Sequence, residues 1–502
     1  MRVEEESAEA IVAKTGGKPP GAKGRRTTKQ TIPTTFMDSP GVFRNGRTRP
    51  RRQLTGPVVE RNAGGFRQEV TPRGASEATS GGGSKKVLNE DLMANVVERD
   101  NLRRAFRQVK ANDGAAGVDG MTVETFADHA REHWPVIKAK LEDGSYQPGA
   151  VRGVRIPKPN GGERRLGIPT VQDRLIQQAV LQVLTPVFDP EFSAHSYGYR
   201  PGRSAHDAVR AAQEYIRAGQ SWTVDLDISA FFDELDHDIL MRQVSAKVKD
   251  KRVLRLIGDY LRAPVQRDGQ REKRTRGTPQ GGPLSPLLAN LYLDALDQEL
   301  ERRGLNFCRY ADDVVIFVGS ERSGQRVLAS LTTWLEKHLK LRVNATKSGV
   351  NGPGDGNFLG FQLDAEGHTK PTAKSLERFK AKVRDFWNAR RAQSLPERIT
   401  AWQRYVRGWW NYFRISDRDG DIRRMEGWIR RHLRKFFWQR WHNRRGRANA
   451  LRRLGAKGRQ QQLASSSVGA WRLARCPTLH TVLNNARLRR WGLYVPSDLA
   501  AT

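Results

Sequence analysis

Residues 307–318 read FCRYADDVVIFV. Two apolar runs flank Asp312 and Asp313, the pattern of a β-hairpin that carries carboxylates at its tip. Burying an unpaired carboxylate is expensive. Adjacent carboxylates repel, which drives one of them towards its protonated form. A divalent cation removes both penalties, and Mg²⁺ prefers oxygen ligands, commonly one or two carboxylates plus substrate phosphates. An Asp-Asp pair alone is usually a solvated turn. Here a second acidic strand, SWTVDLDIS (221–229), lies upstream and sets Asp225 and Asp227 among apolar residues. Side chains alternate along a strand, so these two share a face, and register decides which of them meets the hairpin tip.

Working outward, VRGVRIPKPNGGERRLGIP (151–169) predicts two short strands around a PNGG turn. Lys158 and Arg164 flank that turn, either as a phosphate clamp or as ordinary surface charge. Residues 92–106 form a helical apolar stripe in a fold that begins near Val87, and NDGAAGVDG (112–120) is a turn before a helix holding Phe126 and Leu141. VQDRLIQQAVLQVLTPV (171–187) predicts a buried helix. In RGTPQGGPLSPLLANLYLDALD (276–297) the glycines permit close backbone approach to a ligand beside Gln280, and Ser285 is placed to cap the helix that follows. Phe358, Leu359 and Gly360 are either strand core or a binding edge. From Ser375 to about Trp441 the pattern is helical, with a break at SDRDGD (416–421).

The chain has 502 residues, 88 Lys and Arg against 54 Asp and Glu, and a formal net charge of +34. A polyanionic partner follows, most simply nucleic acid. Residues 372–502 hold 31 basic and 8 acidic residues and nine of the twelve tryptophans. Cations interleaved with aromatics suit RNA, although each Trp taken singly is better explained as helical core. Two cysteines exclude a disulfide framework or a four-Cys zinc site. No apolar run reaches the ~20 residues of a spanning helix, and the acidic start MRVEEESAEA is unlike a secretory signal. Residues 1–85, rich in Gly, Pro, Thr and Arg, predict a disordered basic arm.

Taken in order, the motifs resemble those of bacterial group II intron-encoded reverse transcriptase/maturases. RYADDVVIF resembles the Y-x-D-D box, DLDISAFFDELDH (225–237) the first acidic motif, RGTPQGG the loop between them, and LRVNATKSGV (341–350) the lysine motif. Phe358–Phe361 (FLGF) is similar to the primer-positioning segment and RYVRGWWNYFRISDRDGDIRRMEGWIRRHLRKFFWQRW (404–441) to the maturase signature.

The resemblance implies an α+β right-hand polymerase: fingers and palm with an antiparallel palm sheet over 86–371, the start of an α-helical thumb over 372–400, and the thumb end with a helical maturase domain over 401–502. It implies two Mg²⁺ ions on Asp227, Asp312, Asp313 and the Ile228 carbonyl. Asp227 is preferred to Asp225 because the family spacing then puts an aromatic, Phe232, five residues later. Phe232 is either the gate under the nucleotide sugar or core packing. Lys158, Arg164, Phe232 and Gln280 match dNTP-contacting positions. Lys347 matches a proton donor to pyrophosphate or is a surface lysine. Phe358, Leu359 and Gly360 would seat the primer. Arg407, Arg414, Arg430, Arg431, Arg434 and Lys435 would meet RNA, whereas Arg423 and Arg424 follow an acidic turn and pair locally.

The implied function is RNA-directed DNA polymerisation that copies intron RNA, with RNA binding that promotes splicing and mobility. The alternatives are a domesticated enzyme of repair or phage defence, and an RNA-binding splicing factor with little polymerase activity. Expected partners are group II intron RNA, a DNA primer or target, and dNTPs, in a bacterial cytoplasm, nucleoid-associated during mobility, without a membrane. With only Cys476 near the end at Thr502, no HNH endonuclease is expected, so that priming would use an existing DNA 3′ end.

Overall fold

The computed structural model describes residues 91–157 and 163–499. The expected basic arm, the PNGG turn and Lys158 lie outside the described residues. The described residues open with α1 (Leu92–Val96), α2 (Arg99–Asn112) and α3 (Val123–Glu142), then β1 (Val151–Pro157), β2 (Glu163–Ile168) and α4 (Val171–Phe188). Next come α5 (Ala205–Arg217), β3 (Trp222–Asp227), α6 (Phe231–Glu234), α7 (His237–Lys247), α8 (Lys251–Arg262), β4 (Val265–Arg267) and β5 (Gln270–Glu272). The centre holds α9 (Ser285–Arg302), β6 (Asn306–Tyr310), β7 (Asp313–Val318) and α10 (Glu321–Leu339). β8 (Gly349–Asn351), β9 (Asn357–Phe358), β10 (Phe361–Leu363) and β11 (Thr369–Pro371) precede the helices α11 (Ala373–Phe386), α12 (Leu395–Phe413), α13 (Gly420–Arg440) and α14 (Arg444–Arg453).

The predicted mixed helix–strand class is observed. The central sheet has the order β6-β7-β3-β8 and is antiparallel throughout. Its two faces follow from strand alternation. Val314, Ile316, Val224 and Leu226 join Leu331, Leu335 and Leu339 of α10 in the main core. Cys308, Val315 and Phe317 on the opposite face pack with Ala208, Val209 and Ala212 of α5 and with Phe358 and Phe361. A sheet covered on both sides needs near-continuous apolar strands, which is why β7 reads VVIFV. Truncating fully buried Ile316 to alanine should cost about 2–5 kcal/mol.

The N-terminal sheet, β2-β1-β4-β5, pairs β1 antiparallel with β2 and parallel with β4. The predicted helix α4 is buried nearly all round. Thr170 caps it through Asp173 N–H, and the buried Asp173 carboxylate accepts from Tyr146 Oη, Gly149 N and Thr170 Oγ1.

Two predicted helical stretches are interrupted. The stripe over 92–106 breaks because the Glu98 carboxylate accepts from the N–H groups of Asp100 and Asn101, starting a new helix at Arg99. Besides the expected break before Gly420, the C-terminal helices part at 387–394, where Ser394 caps α12 through Glu397 N. Among the described residues no helix is long and apolar enough to cross a membrane. Two compact units are present: one holds the described residues of 82–433 with 488–499, the other 434–487.

Candidate active site

The hairpin and the acidic strand meet as neighbours. β3 and β7 pair in the register Asp227↔Asp313, Leu226↔Val314, Asp225↔Val315. Residues directly opposite in an antiparallel pair project to the same face, so Asp227 and Asp313 stand side by side at the ladder's end. Tyr310 pairs with Asp313 across β6 and β7, which leaves Ala311 and Asp312 as the two-residue turn. The register puts Asp227, rather than Asp225, beside the hairpin tip. Asp225 lies one same-face step deeper, where Asn351 Nδ2 donates to its Oδ2 at 2.9 Å.

Segment 342–348 clamps the end of β3. Asn344 N donates to Asp227 O, Ser229 N to Arg342 O, and Asp227 N to Ser348 Oγ at 2.9 Å. Successive backbone groups of a strand face opposite sides. With Asp227 and Ser229 bonded to this segment, the Ile228 carbonyl faces the other side, towards the hairpin. Lys347 Nζ lies 3.3 Å from Asp227 Oδ2, on a side chain that is 63% exposed. Ser348 was not anticipated; its only signal in the sequence is its place beside Lys347.

The electrostatics are those of carboxylates short of cations. Burial raises the Asp312 carboxyl, its own backbone N–H and Arg164 lower it, and the Asp227 charge raises it again. Asp313 is exposed to solvent, yet the protein packed around it, with the charges of Asp312, Asp227 and Asp225, pushes its carboxyl up to about 6 against the pull of Lys347. Hard oxygen donors under mutual repulsion are a set that Mg²⁺ fits. Among the described residues the trio whose ligand atoms close within 4.8 Å is a different one, Asp364, Glu366 and His368. Arg418 already supplies the cation there, 2.8 Å from Asp364 and 3.5 Å from Glu366.

The 276–282 loop closes over the same end of the sheet. Gly277 N donates to Leu235 O and Thr278 N to Phe232 O, while Gly167 N donates to Gln280 O. The loop thereby joins the turn carrying Phe232 to the strand carrying Arg164. Gly277 has φ +77°, and a Cβ there would sit 2.6 Å from Phe232 O; only glycine fits without strain. Phe232 is half-buried and packs edge-on to Phe231 at 5.2 Å. Ser285 does not cap α9 as expected. Its Oγ donates to Pro279 O at 2.7 Å and meets Thr278 Oγ1, fastening the loop instead.

Leu359 and Gly360 form a two-residue turn, both at positive φ, between Phe358 and Phe361. That is the backbone a tight hairpin requires. Tyr412 Oη donates to Leu359 O at 2.8 Å, and Thr372 N and Ser375 Oγ donate to Gly360 O. Phe358 is core; Leu359 and Gly360 remain partly accessible.

The six cations expected on RNA divide. Arg407 and Arg414 are exposed, and Arg431 and Lys435 partly so. Arg430 is near Glu426 and Asp498 at 3.7 and 3.8 Å. Arg434 corrects the expectation. It is buried, donating from Nε to Leu483 O at 3.0 Å and from Nη2 to Asn485 Oδ1 at 2.9 Å, so its charge holds its own unit together. Arg423 and Arg424 pair with Asp419 and Asp421. Sequence reasoning passed over Arg444, Arg445, Arg452 and Arg453 on and beside α14, all exposed, in a stretch with no acid between Glu426 and Asp498.

Comparison with known proteins bears on the family. Residues 156–363 match the family model of reverse transcriptase (RNA-dependent DNA polymerase), and residues 376–455 match the group II intron maturase-specific domain. Protein YkfC of Escherichia coli K12 is 31% identical over 313 residues, 54% of this chain and 82% of that protein. The group II intron-encoded protein LtrA of Lactococcus lactis subsp. cremoris is 38% identical over 206 residues, 41% of this chain. The match spans about a third (34%) of the Lactococcus protein's length. With a polymerase domain followed by a maturase domain and a YkfC match over most of that relative, the chain belongs to the group II intron-encoded reverse transcriptase/maturase family.

Proposed function

We propose that this chain copies RNA into DNA by in-line phosphoryl transfer and holds a group II intron RNA so as to promote its splicing and mobility. One observation carries the polymerase reading: Asp227 lies directly opposite Asp313 with Asp312 at the adjoining turn. Asp227, Asp312, Asp313 and the Ile228 carbonyl are the groups that would hold two Mg²⁺ ions. Such ions, when bound, lower the pKa of an attacking hydroxyl and stabilise a leaving pyrophosphate.

The remaining work falls to the chain. Arg164, whose charge reaches Asp312, and Lys158 bind the triphosphate. Phe232 packs under the deoxyribose and excludes a 2′-hydroxyl, and Gln280 lines the same pocket. Lys347 gives a proton to the departing pyrophosphate. The Phe358–Leu359–Gly360 turn seats the primer end. In right-hand terms, the central sheet is the palm, the N-terminal sheet the fingers, and α11 and α12 the thumb. Arg407, Arg414, Arg430, Arg431 and Lys435 bind intron RNA through its phosphates and shape.

The test is primer extension on an RNA template with Mg²⁺ and dNTPs, comparing wild type with Asp312→Ala. Extension by the wild type alone is expected, and equal background from both removes the polymerase reading. Splicing of the intron RNA flanking the gene, with and without protein, tests the maturase role separately.

A further inference from the structure

The turn that carries Asp312 is unusual in its support. Ala311 has φ +58°, a left-handed conformation that a residue with a Cβ seldom adopts. Such a conformation persists only where the surroundings impose it. Beneath the turn lies Arg309, fully buried, with its side chain directed back under its own hairpin.

Arg309 Nη1 donates to Ala311 O at 3.0 Å and to Asn290 Oδ1 at 2.9 Å. Its Nε and Nη2 form a two-pronged ion pair with Asp297 of α9 at 2.7 and 2.5 Å, both side chains wholly buried. Asn290, also on α9, donates from Nδ2 to Gly198 O at 2.9 Å. Gly198 backs the turn so closely that a Cβ would stand 2.3 Å from Ala311 N. The segment before it runs along the outer edge of β6: Arg309 N donates to His195 O and Tyr197 N to Arg309 O. Ala311 is therefore held at its carbonyl by Arg309 from below and closely backed at its nitrogen by Gly198, and α9 anchors both.

A fork of fixed geometry suits this task. The planar guanidinium satisfies the carboxylate with one edge and has a further donor directed at the turn. A single buried guanidinium serving a carboxylate, an amide and the turn carbonyl is a more specific device than a core ion pair needs to be. Apolar residues commonly stabilise a core as well or better, so stability alone does not account for it.

We propose that Arg309 is a positioning residue, which, with Asp297 and Asn290, locks the Ala311 peptide so that Asp312 and Asp313 present their carboxylates together to divalent cations. This rests on the polymerase reading, because the locked residues are those assigned to the metals.

The experiment compares the full-length wild type, Arg309→Lys and Asn290→Ala. The lysine keeps the charge but cannot reach Asp297 and Ala311 O together. Asn290→Ala spares the ion pair and releases Gly198. Each protein is assayed for melting temperature, RNA affinity, primer-extension kcat and dNTP KM, the Mg²⁺ concentration for half-maximal rate, and Mn²⁺ binding by electron paramagnetic resonance. For Arg309→Lys the expected result is retained RNA affinity, kcat lowered tenfold or more with KM within twofold, and Mn²⁺ affinity and Mg²⁺ half-saturation each weakened several-fold. Asn290→Ala should show the same pattern at smaller size. A folded Arg309→Lys protein with wild-type kcat and Mn²⁺ binding overturns the proposal. So does an unfolded Arg309→Lys protein beside an Asn290→Ala protein of wild-type kcat and Mn²⁺ binding, since the network then serves the fold alone. An inactive wild type that still binds Mn²⁺ more tightly than Arg309→Lys overturns the polymerase reading and leaves the positioning role standing.

Discussion

Lys347 reaches Asp227 across 120 residues of sequence, its Nζ 3.3 Å from Oδ2. The lysine is mostly exposed, and an ion pair so placed contributes about 0–1 kcal/mol to stability. Its value lies in what stands beside it. Lys347→Ala is therefore expected to leave the melting temperature unchanged and to lower single-turnover primer extension by about 10²-fold, the ordinary size of a lost general acid. Lys347→Arg should restore charge and pyrophosphate affinity but little of the rate, because a guanidinium does not release its proton. Rates measured across pH for the three proteins check this. Wild-type rates in both variants would return Lys347 to the surface.

The aspartates should be anticooperative without metal and cooperative with it. Burial, followed by the charges of Asp312, Asp227 and Asp225, holds Asp313 at about 6. Asp313→Asn removes one repelling charge, so in EDTA its melting temperature should equal or exceed that of the wild type. In millimolar Mg²⁺ the order should reverse, because a cation that binds the folded state stabilises only a protein that can hold it. Primer extension should fall about a thousandfold or more, equivalent to several kcal/mol of transition-state stabilisation. Paired calorimetric scans in EDTA and Mg²⁺ give the comparison. An EDTA scan in which the variant melts well below wild type contradicts it.

The elements legible in the sequence were those with local signals. The Asp312–Asp313 hairpin and the buried helix α4 followed from apolar periodicity, whereas the preference for Asp227 over Asp225 came only from the family resemblance. The break at 387–394 was also written locally, as Ser394 ahead of Pro396 and Glu397, but the continuing apolar pattern hid it. What could not be read were partnerships set by tertiary contact. Nothing near Arg434 announces Leu483 or Asn485 as its acceptors. Asp297 gives no sign that it neutralises Arg309 from another element. The parallel pairing of β1 with β4 joins strands about a hundred residues apart. Charge type is visible in a sequence, whereas burial of that charge is a property of the fold.

That distinction separates the arginines by experiment. Arg434 is enclosed and donates to two acceptors, so Arg434→Ala should destabilise by about 2–4 kcal/mol, the scale of losing charge-assisted hydrogen bonds and leaving acceptors unmet. Arg407 and Arg414 are exposed. Arg407→Ala and Arg414→Ala should keep the melting temperature, weaken RNA binding, and each reduce the slope of log K against log salt by roughly one phosphate contact. Filter binding of intron RNA across salt concentrations, beside thermal melts, tests both halves. A salt slope unchanged in both exposed variants would place the RNA elsewhere, with the acid-free Arg444–Arg453 helix next to be tested.

A pH dependence of folding should trace to Asp294 on α9, away from the proposed metal ligands. Burial, with the charge of Asp297, raises its carboxyl to about 6 from the ordinary 3.8, with Arg309 opposing. Its Oδ1 is buried without a hydrogen-bond partner. Because the folded-state value is the higher one, the folded protein keeps a proton that the unfolded chain releases between about pH 4 and 6. The stability this supplies is complete below about pH 4 and is lost as the pH rises through about 6. Asp294→Asn fixes the neutral form. Its melting temperature should match wild type near pH 4 and exceed it at pH 7 by about 1–3 °C, a modest shift because the chain is long. Calorimetry in EDTA over this range checks the sign. A variant that melts lower than wild type at pH 7 would mean that ionised Asp294 makes a contact that outweighs its burial.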